Sequence, residues 1–183
     1  MGHIVPNTRK GKRMRADAAL PMESSTRIVT SCVVAVHVLP HGKGLPLPRY
    51  ESAGAAGLDL CAAGFDDERL AEYTLHPGHR VLVNCGIAIA IPVGFEGHIR
   101  ARSGLALRRG LGLVNGIGTI DADYRGELGA ILINWGSVEQ IIQRGSRIAQ
   151  LVISPVVHAG LVVVDELPAT ARGAGGFGST GGL

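Results

Sequence analysis

Aromatic side chains are scarce in this sequence of 183 residues: Phe, Trp and Tyr make up 4%, although hydrophobic residues make up 46%. Any core must therefore be assembled from Val, Ile, Leu and Ala, a palette that suits many short strands. Cysteine is scarce as well. Cys32, Cys61 and Cys85 are odd in number, widely spaced and set in apolar runs such as VLVNCGIAIAI. That pattern argues against a disulfide framework and a zinc site, and reads as small buried hydrophobes in a reducing compartment. No stretch approaches the ~18 uninterrupted apolar residues of a membrane span, so no membrane partner and a cytoplasmic location are expected. A basic surface is also lacking, despite the net charge of +3. Residues 1–27 hold six Lys/Arg against Asp17 and Glu23, whereas the remaining 156 residues carry a net −1. Nucleic acid is accordingly not an expected partner. Those first 27 residues lack the apolar centre of a signal peptide. Their charge allows a transit peptide, but the two acids and poor periodicity favour a disordered or tag-derived extension.

From about Ile28 the text changes character. Apolar runs of five to eight residues or somewhat more follow one another: CVVAVHVL, RVLVNCGIAIAI, HIRAR, ELGAILIN, RIAQLVISPVV and GLVVVDEL. Breakers rich in Gly, Pro and Asn separate them, so they read as strands. ELGAILINWGSVEQIIQ has the look of a hairpin with its tip at Asn134 to Ser137. SGLALRRGLGL hints at a helix of a turn or two, cut short by glycine. Many short strands without alternating helices point to an antiparallel sandwich, jelly roll or barrel over residues 28–168. Beyond Pro168 the pattern stops. Residues 169–183 have no apolar face to bury and read as a flexible arm. Fifteen residues extend roughly 50 Å at about 3.3 Å each, far enough to reach a neighbouring subunit.

That arm, ending RGAGGFGSTGGL, holds six glycines among its last eleven residues. GAGGFG fits the spacing of a dinucleotide-binding turn, and GAGGFGST stops one lysine short of a P-loop. Both motifs require a helix after the loop to supply oriented N–H groups, and no residues follow to build one. It is a phosphate-type loop on a free end, whose partner must be found elsewhere.

Three further segments carry chemistry. In GTIDADYRGEL, Asp121 and Asp123 share a face of an extended segment, with Ile120 and Tyr124 on the other unless a turn twists them. Two such carboxylates can supply a base or hold a divalent cation, and they are equally at home in a solvated turn. In RARSGLALRRG, Arg102 gives a planar fork, Ser103 a hydroxyl and Gly104 an approachable N–H, a plausible phosphate clamp. Arg108 and Arg109 read as a solvated face. RIAQLV sets Arg147 and Gln150 beside a strand.

The order of these pieces is more specific than any one of them. AGLDL (residues 56–60), RSGLA (102–106), NGIGTIDADYRGE (115–127), RIAQL (147–151) and RGAGGFGSTG (172–181) resemble the five motifs of the trimeric dUTPases, the deoxyuridine triphosphate nucleotidohydrolases. The resemblance implies an all-β, distorted jelly-roll homotrimer with sites between subunits. Its reaction would be Mg²⁺-dependent attack of water on the α-phosphorus of dUTP, giving dUMP and pyrophosphate. Such a reaction limits uracil in DNA and supplies dUMP for dTMP synthesis. Asp121 matches the base, and Asp123 a supporting position. Asn115 matches the reader of the uracil edge, with backbone near Gly116 and Gly118 and the adjoining Ile120 completing the pocket. Tyr124 matches the ring beneath the deoxyribose, and Arg102, Ser103, Gly104 and Gln150 match the phosphate ligands. In the arm, Arg172 would meet the γ-phosphate, Phe177 would stack on uracil, and Gly178, Ser179 and Thr180 would donate to phosphate oxygens. Asp59 fits either a water-mediated role toward the metal or a structural one in its strand. The related dCTP deaminases share the fold and the Ile-Asp element and need a glutamate at the amino group, which directs attention to Glu127. A non-catalytic, nucleotide-binding trimer is the alternative from another class.

Overall fold

The computed structural model describes residues 32–66 and 70–176. Residues Val29–Val157 form one unit, and a second takes in Met1–Ile28 with His158–Leu183. In chain order the first unit contains β1 (Ala35–Val38), β2 (Leu58–Cys61), β3 (Gly64–Phe65), β4 (Glu72–Leu75), β5 (Arg80–Ala90), β6 (Phe95–Arg100), α1 (Ser103–Arg109), β7 (Leu111–Leu113), β8 (Ile117–Ile120), β9 (Glu127–Asn134), β10 (Gln140–Gln143) and β11 (Arg147–Pro155). A single 3-10 turn, Pro40–Gly42, follows β1.

The fold is all-β, as the composition implies. One sheet runs β1-β5-β9-β7 with β3 also on β5, a second runs β2-β11-β6-β8, and β4 pairs with β10 alone. All of these pairings are antiparallel. Alternation along the strands builds the core: Val81, Val83, Cys85 and Ile89 of β5, Leu128, Ala130 and Leu132 of β9, and Ile99 and Leu151 from the other sheet join one buried cluster. Phe65 is the one aromatic ring fully inside it, stacked at 5.6 Å on Tyr73. Cys61 and Cys85 are buried and unpaired, and burial raises both thiols, Cys85 most strongly. Neither is a nucleophile at neutral pH.

The helix α1 is as short as its glycines suggested. Ala, Leu and Arg favour it, and it ends at Gly110, whose left-handed φ of 64° lets its N–H close onto Leu105 and Ala106. Two expected strands came out otherwise. The segment at Asn134 is not a hairpin tip, because β9 lies between β5 and β7 whereas β10 pairs with β4. The Asn134 side chain makes that switch of sheets: its amide donates to the Leu75 and Val138 carbonyls, and its oxygen accepts from the Gly136 N–H. GLVVVDEL forms no strand. Leu161, Val163 and Leu167 stand exposed. Among the described residues of the second unit, order is local: the Gly173 N–H donates to the Thr170 carbonyl and hydroxyl, and the Arg172 Nε to the Gly175 carbonyl. No helix among the described residues is long and apolar enough to cross a membrane.

Asn134 is the sole buried polar residue of the described core, and all three of its side-chain hydrogen bonds are internal. Asn134→Ala strands the buried Leu75 carbonyl and removes the partners of the partly buried Val138 carbonyl and Gly136 N–H, and at about 1 kcal/mol per bond plus desolvation it is expected to lower stability by about 2–4 kcal/mol, read by urea unfolding.

Candidate functional site

The residues singled out in the sequence gather in two cavities. The first, about 470 Å³, is lined by Asp59 of β2, Arg100 of β6, Arg102, Ser103, Gly104 and Arg108 at α1, and Arg147 and Gln150 of β11. The second, about 330 Å³, is lined by Asn115, Gly118, Ile120, Asp121 and Tyr124 together with Asn84, Thr119 and Glu127. No lining residue is common to both.

Strand geometry separates them. Along β6 consecutive side chains point to opposite faces, and Ile99 lines the second cavity while Arg100 lines the first. Register extends the division: Arg100 is flanked by Gln150 and Ile117, and Ile99 by Leu151 and Gly118. The two cavities thus draw on alternate residues of β6, the first beside α1 and the second at the open edge of β8.

The first cavity is an anion cradle. Four arginines face two carboxylates, Glu51 and Asp59. Asp59 holds two of the guanidiniums: Arg102 Nε lies 2.9 Å from Oδ1 and Nη2 3.2 Å from Oδ2, while Arg147 Nη1 lies 3.1 Å from Oδ2. Arg102 also donates to the Arg147 carbonyl at 3.0 Å. A planar guanidinium fixed on both edges is pre-oriented, so little side-chain entropy remains to be lost when an anion arrives. Glu51 sits 3.4 Å from Arg147, and its hydrogen bond to Arg49 holds it below the ordinary carboxylate range. Gln150 donates to the Ala101 carbonyl at 3.0 Å, and its side chain lies against Gly57.

The second cavity lies at the open edge of β8. Asp121 and Tyr124 reach it because the chain there is not extended: the Tyr124 N–H bonds the Asp121 carbonyl at 3.1 Å, a tight turn that brings Ile120, Asp121 and Tyr124 to one cavity. Asp123 lines neither cavity, so the expected common face of the two aspartates is not formed. Asn115 has its side-chain amide 3.5 Å from the Ile117 carbonyl, a long contact that leaves its oxygen available.

Arg172 belongs to the other unit, and Phe177, Gly178, Ser179 and Thr180 lie outside the described residues. Arg108 and Arg109 are not one solvated face. Arg108 lines the first cavity, its guanidinium over Gly104, and the four-residue helical spacing between them was the available signal. Arg109 binds the Gln140 side chain and the Ile141 carbonyl, each at 2.7 Å. Arg100 was not singled out, although its two-residue spacing from Arg102 in a strand-like run was visible. Asn84 had no signal.

Gly57 provides a test of the cradle. A Cβ there collides chiefly with the Gln150 amide oxygen, the movable end of a side chain, and lies 3.2 Å from that residue's Cβ, a tight contact that a shift of a few tenths of an ångström relieves. Gly57→Ala is therefore expected to leave the melting temperature nearly unchanged and to weaken tripolyphosphate binding by about threefold to tenfold, read by titration calorimetry.

Comparison with known proteins adds four findings. Residues 43–181 match the family described as dUTPase. The deoxyuridine 5′-triphosphate nucleotidohydrolase of Methylocella silvestris is 57% identical over 148 residues, 81% of this chain and 91% of that protein. A variant of the Staphylococcus bacteriophage 80alpha dUTPase with dUpNHpp superposes with a TM-score of 0.72 at 26% identity, covering 82% of this chain and 99% of that one. A variant of the dUTPase from phage phi11 of S. aureus, described for its coordination of a structural Mg(II) ion, gives 0.64 at 24% identity, covering 74% and 98%.

Proposed function

The chain belongs to the dUTPase family, and from that premise we propose that it hydrolyses dUTP to dUMP and pyrophosphate at sites completed between copies of itself in a homotrimer. The observation that carries the assembly is the division of the site. A phosphate cradle and a second cavity with hydrogen-bonding groups and a ring share no lining residue, so each copy carries the two halves of a nucleotide site apart. Two copies side by side can present the cradle of one to the second cavity of the other.

In this reading Arg102, Ser103, Gly104 and Gln150 bind the phosphates, with Arg108 and Arg147 adding positive charge. Asn115, the backbone at Gly118 and Ile120 receive the uracil edge, and Tyr124 lies beneath the deoxyribose. A pocket built to pair with uracil leaves donors and acceptors unmatched by cytosine, each mismatch costing about 1–3 kcal/mol. Asp121 is the base: its carboxylate takes a proton from water as the oxygen attacks the α-phosphorus in line and pyrophosphate leaves. That Asp121 lines the cavity and Asp123 does not supports this choice. Residues 28–168 are the catalytic domain and 169–183 the arm, with Arg172, Phe177, Gly178 and Ser179 closing over the nucleotide.

Mg²⁺ would offset part of the triphosphate's charge in this reading, held mainly by phosphate and water rather than by protein side chains. Asp59 fits it through water rather than directly, since both of its oxygens already accept from guanidiniums.

Asp121→Asn is expected to reduce turnover to no more than a few per cent of wild type with dUTP binding retained. Pyrophosphate release with dUTP, dCTP, dTTP and UTP, with and without EDTA, checks the reading as a whole, and comparable rates with dCTP would overturn it. Deletion from Ala171 onward is expected to leave a stable trimer in sedimentation that hydrolyses dUTP very poorly. Full activity would remove the arm from the mechanism.

A further inference from the structure

A bulge in the central sheet leads to a residue that the reading above does not use. Asn84 pairs with Gly129 and Ala88 with Glu127, so three residues of β5 span the single residue Leu128 of β9. At the middle of the bulge Gly86 has a φ of 69°, and its N–H points away from the ladder. The acceptor it finds is the Glu127 side chain, Oε1 at 2.6 Å. The same oxygen lies 2.8 Å from His41 Nε2, and both side chains are about four-fifths buried.

His41 is held in its turn. The Leu39 N–H donates to the Gly86 carbonyl, and Arg144 donates to the His41 and Lys43 carbonyls. Gly42 packs so closely on Gly86 that a Cβ on either would strike the other's backbone. The Pro40–Gly42 turn is thereby locked on the bulge, and Glu127 is the side chain it grips.

From Glu127 the constraint passes to the second cavity. The Tyr124 hydroxyl donates to the Glu127 carbonyl at 3.0 Å, and the ring lies directly over Gly126, where no Cβ fits. The Tyr124 N–H is tied to Asp121. One anchored residue thus sets the far end of a ring whose near end sits on the turn that also bears Asp121. A carboxylate engaged by His41 and the Gly86 amide is a fixed post rather than a proton donor aimed at a base.

We infer that Glu127, gripped by His41 and the bulge amide, is a positioning residue for Tyr124 and thereby sets discrimination between the deoxyribonucleotide and the ribonucleotide. This rests on the reading of Tyr124 as the ring beneath the sugar. A ring free to move by a fraction of an ångström opens room at C2′, whereas a scaffold role would lower stability and leave the choice of sugar unchanged.

The test measures kcat and KM for dUTP and UTP, with a thermal midpoint for each protein, in the full-length wild type and in Glu127→Ala, Glu127→Gln, His41→Ala, the double alanine variant and Tyr124→Ala. Glu127→Ala is expected to raise the UTP to dUTP ratio of kcat/KM by about tenfold, chiefly through KM. Glu127→Gln, whose amide oxygen still accepts, is expected to stay within about twofold of wild type, and His41→Ala to shift the ratio by about threefold in the same direction. The double variant is expected to go no further than Glu127→Ala alone, as residues acting through one contact do. A wild-type ratio in Glu127→Ala, or a Gln variant as relaxed as the Ala variant, overturns the inference. Should Glu127→Ala fail to fold, an unchanged ratio in His41→Ala overturns it instead. Relaxation by Tyr124→Ala but not by Glu127→Ala removes this inference alone, whereas an unchanged ratio in Tyr124→Ala removes the sugar reading with it.

Discussion

Neighbouring side chains of a strand cannot face the same way, and along β6 that constraint divides the chemistry. Arg100 turns to the anion cradle and Ile99 to the cavity beside β8. Among the described residues, the groups suited to a nucleotide are therefore presented in two cavities with no lining residue in common.

Electrostatics reinforces this division. Two of the cradle's arginines are oriented before any ligand arrives, because Asp59 grips one edge of Arg102 while the Arg147 carbonyl takes the other, and Asp59 accepts a bond from Arg147 as well. Part of the desolvation and ordering needed to bind a triphosphate has been met during folding. Removing Asp59 would subtract a negative charge from the cradle and also release the forks it aligns, two effects of opposite sign on anion binding. The carboxylate at Asp121 meets no such partner among the described residues, lies exposed at its turn, and remains available to water.

Much of this was legible in the sequence, for reasons that differ from residue to residue. Long apolar runs such as RVLVNCGIAIAI read as strands, since β-branched Val and Ile recur through them and glycine and asparagine interrupt any helical stretch. The cradle and turn residues were named through the resemblance of the five ordered motifs to the dUTPases, and the structure places most of them along two cavities. Pairing was less legible. ELGAILINWGSVEQIIQ has the pattern of a hairpin, and only the buried amide of Asn134, bonded to carbonyls at Leu75 and Val138, sends the following strand to β4. GLVVVDEL is strand-like in composition yet forms no strand, because a strand is defined by its neighbour as much as by its residues. Glu127 attracted attention as a possible acid, and the structure gives it a different partner in His41, distant by 86 positions and without any local signature.

The contact between Gly42 and Gly86 has a consequence for how this sequence can change. Each backbone occupies the space where the other's methyl group would go, and a left-handed conformation at Gly86 adds its own penalty for any larger residue. Neither site can drift alone, so a lineage departing from this pair would have to reroute the Leu39–Lys43 loop first, and would lose the histidine's grip in doing so.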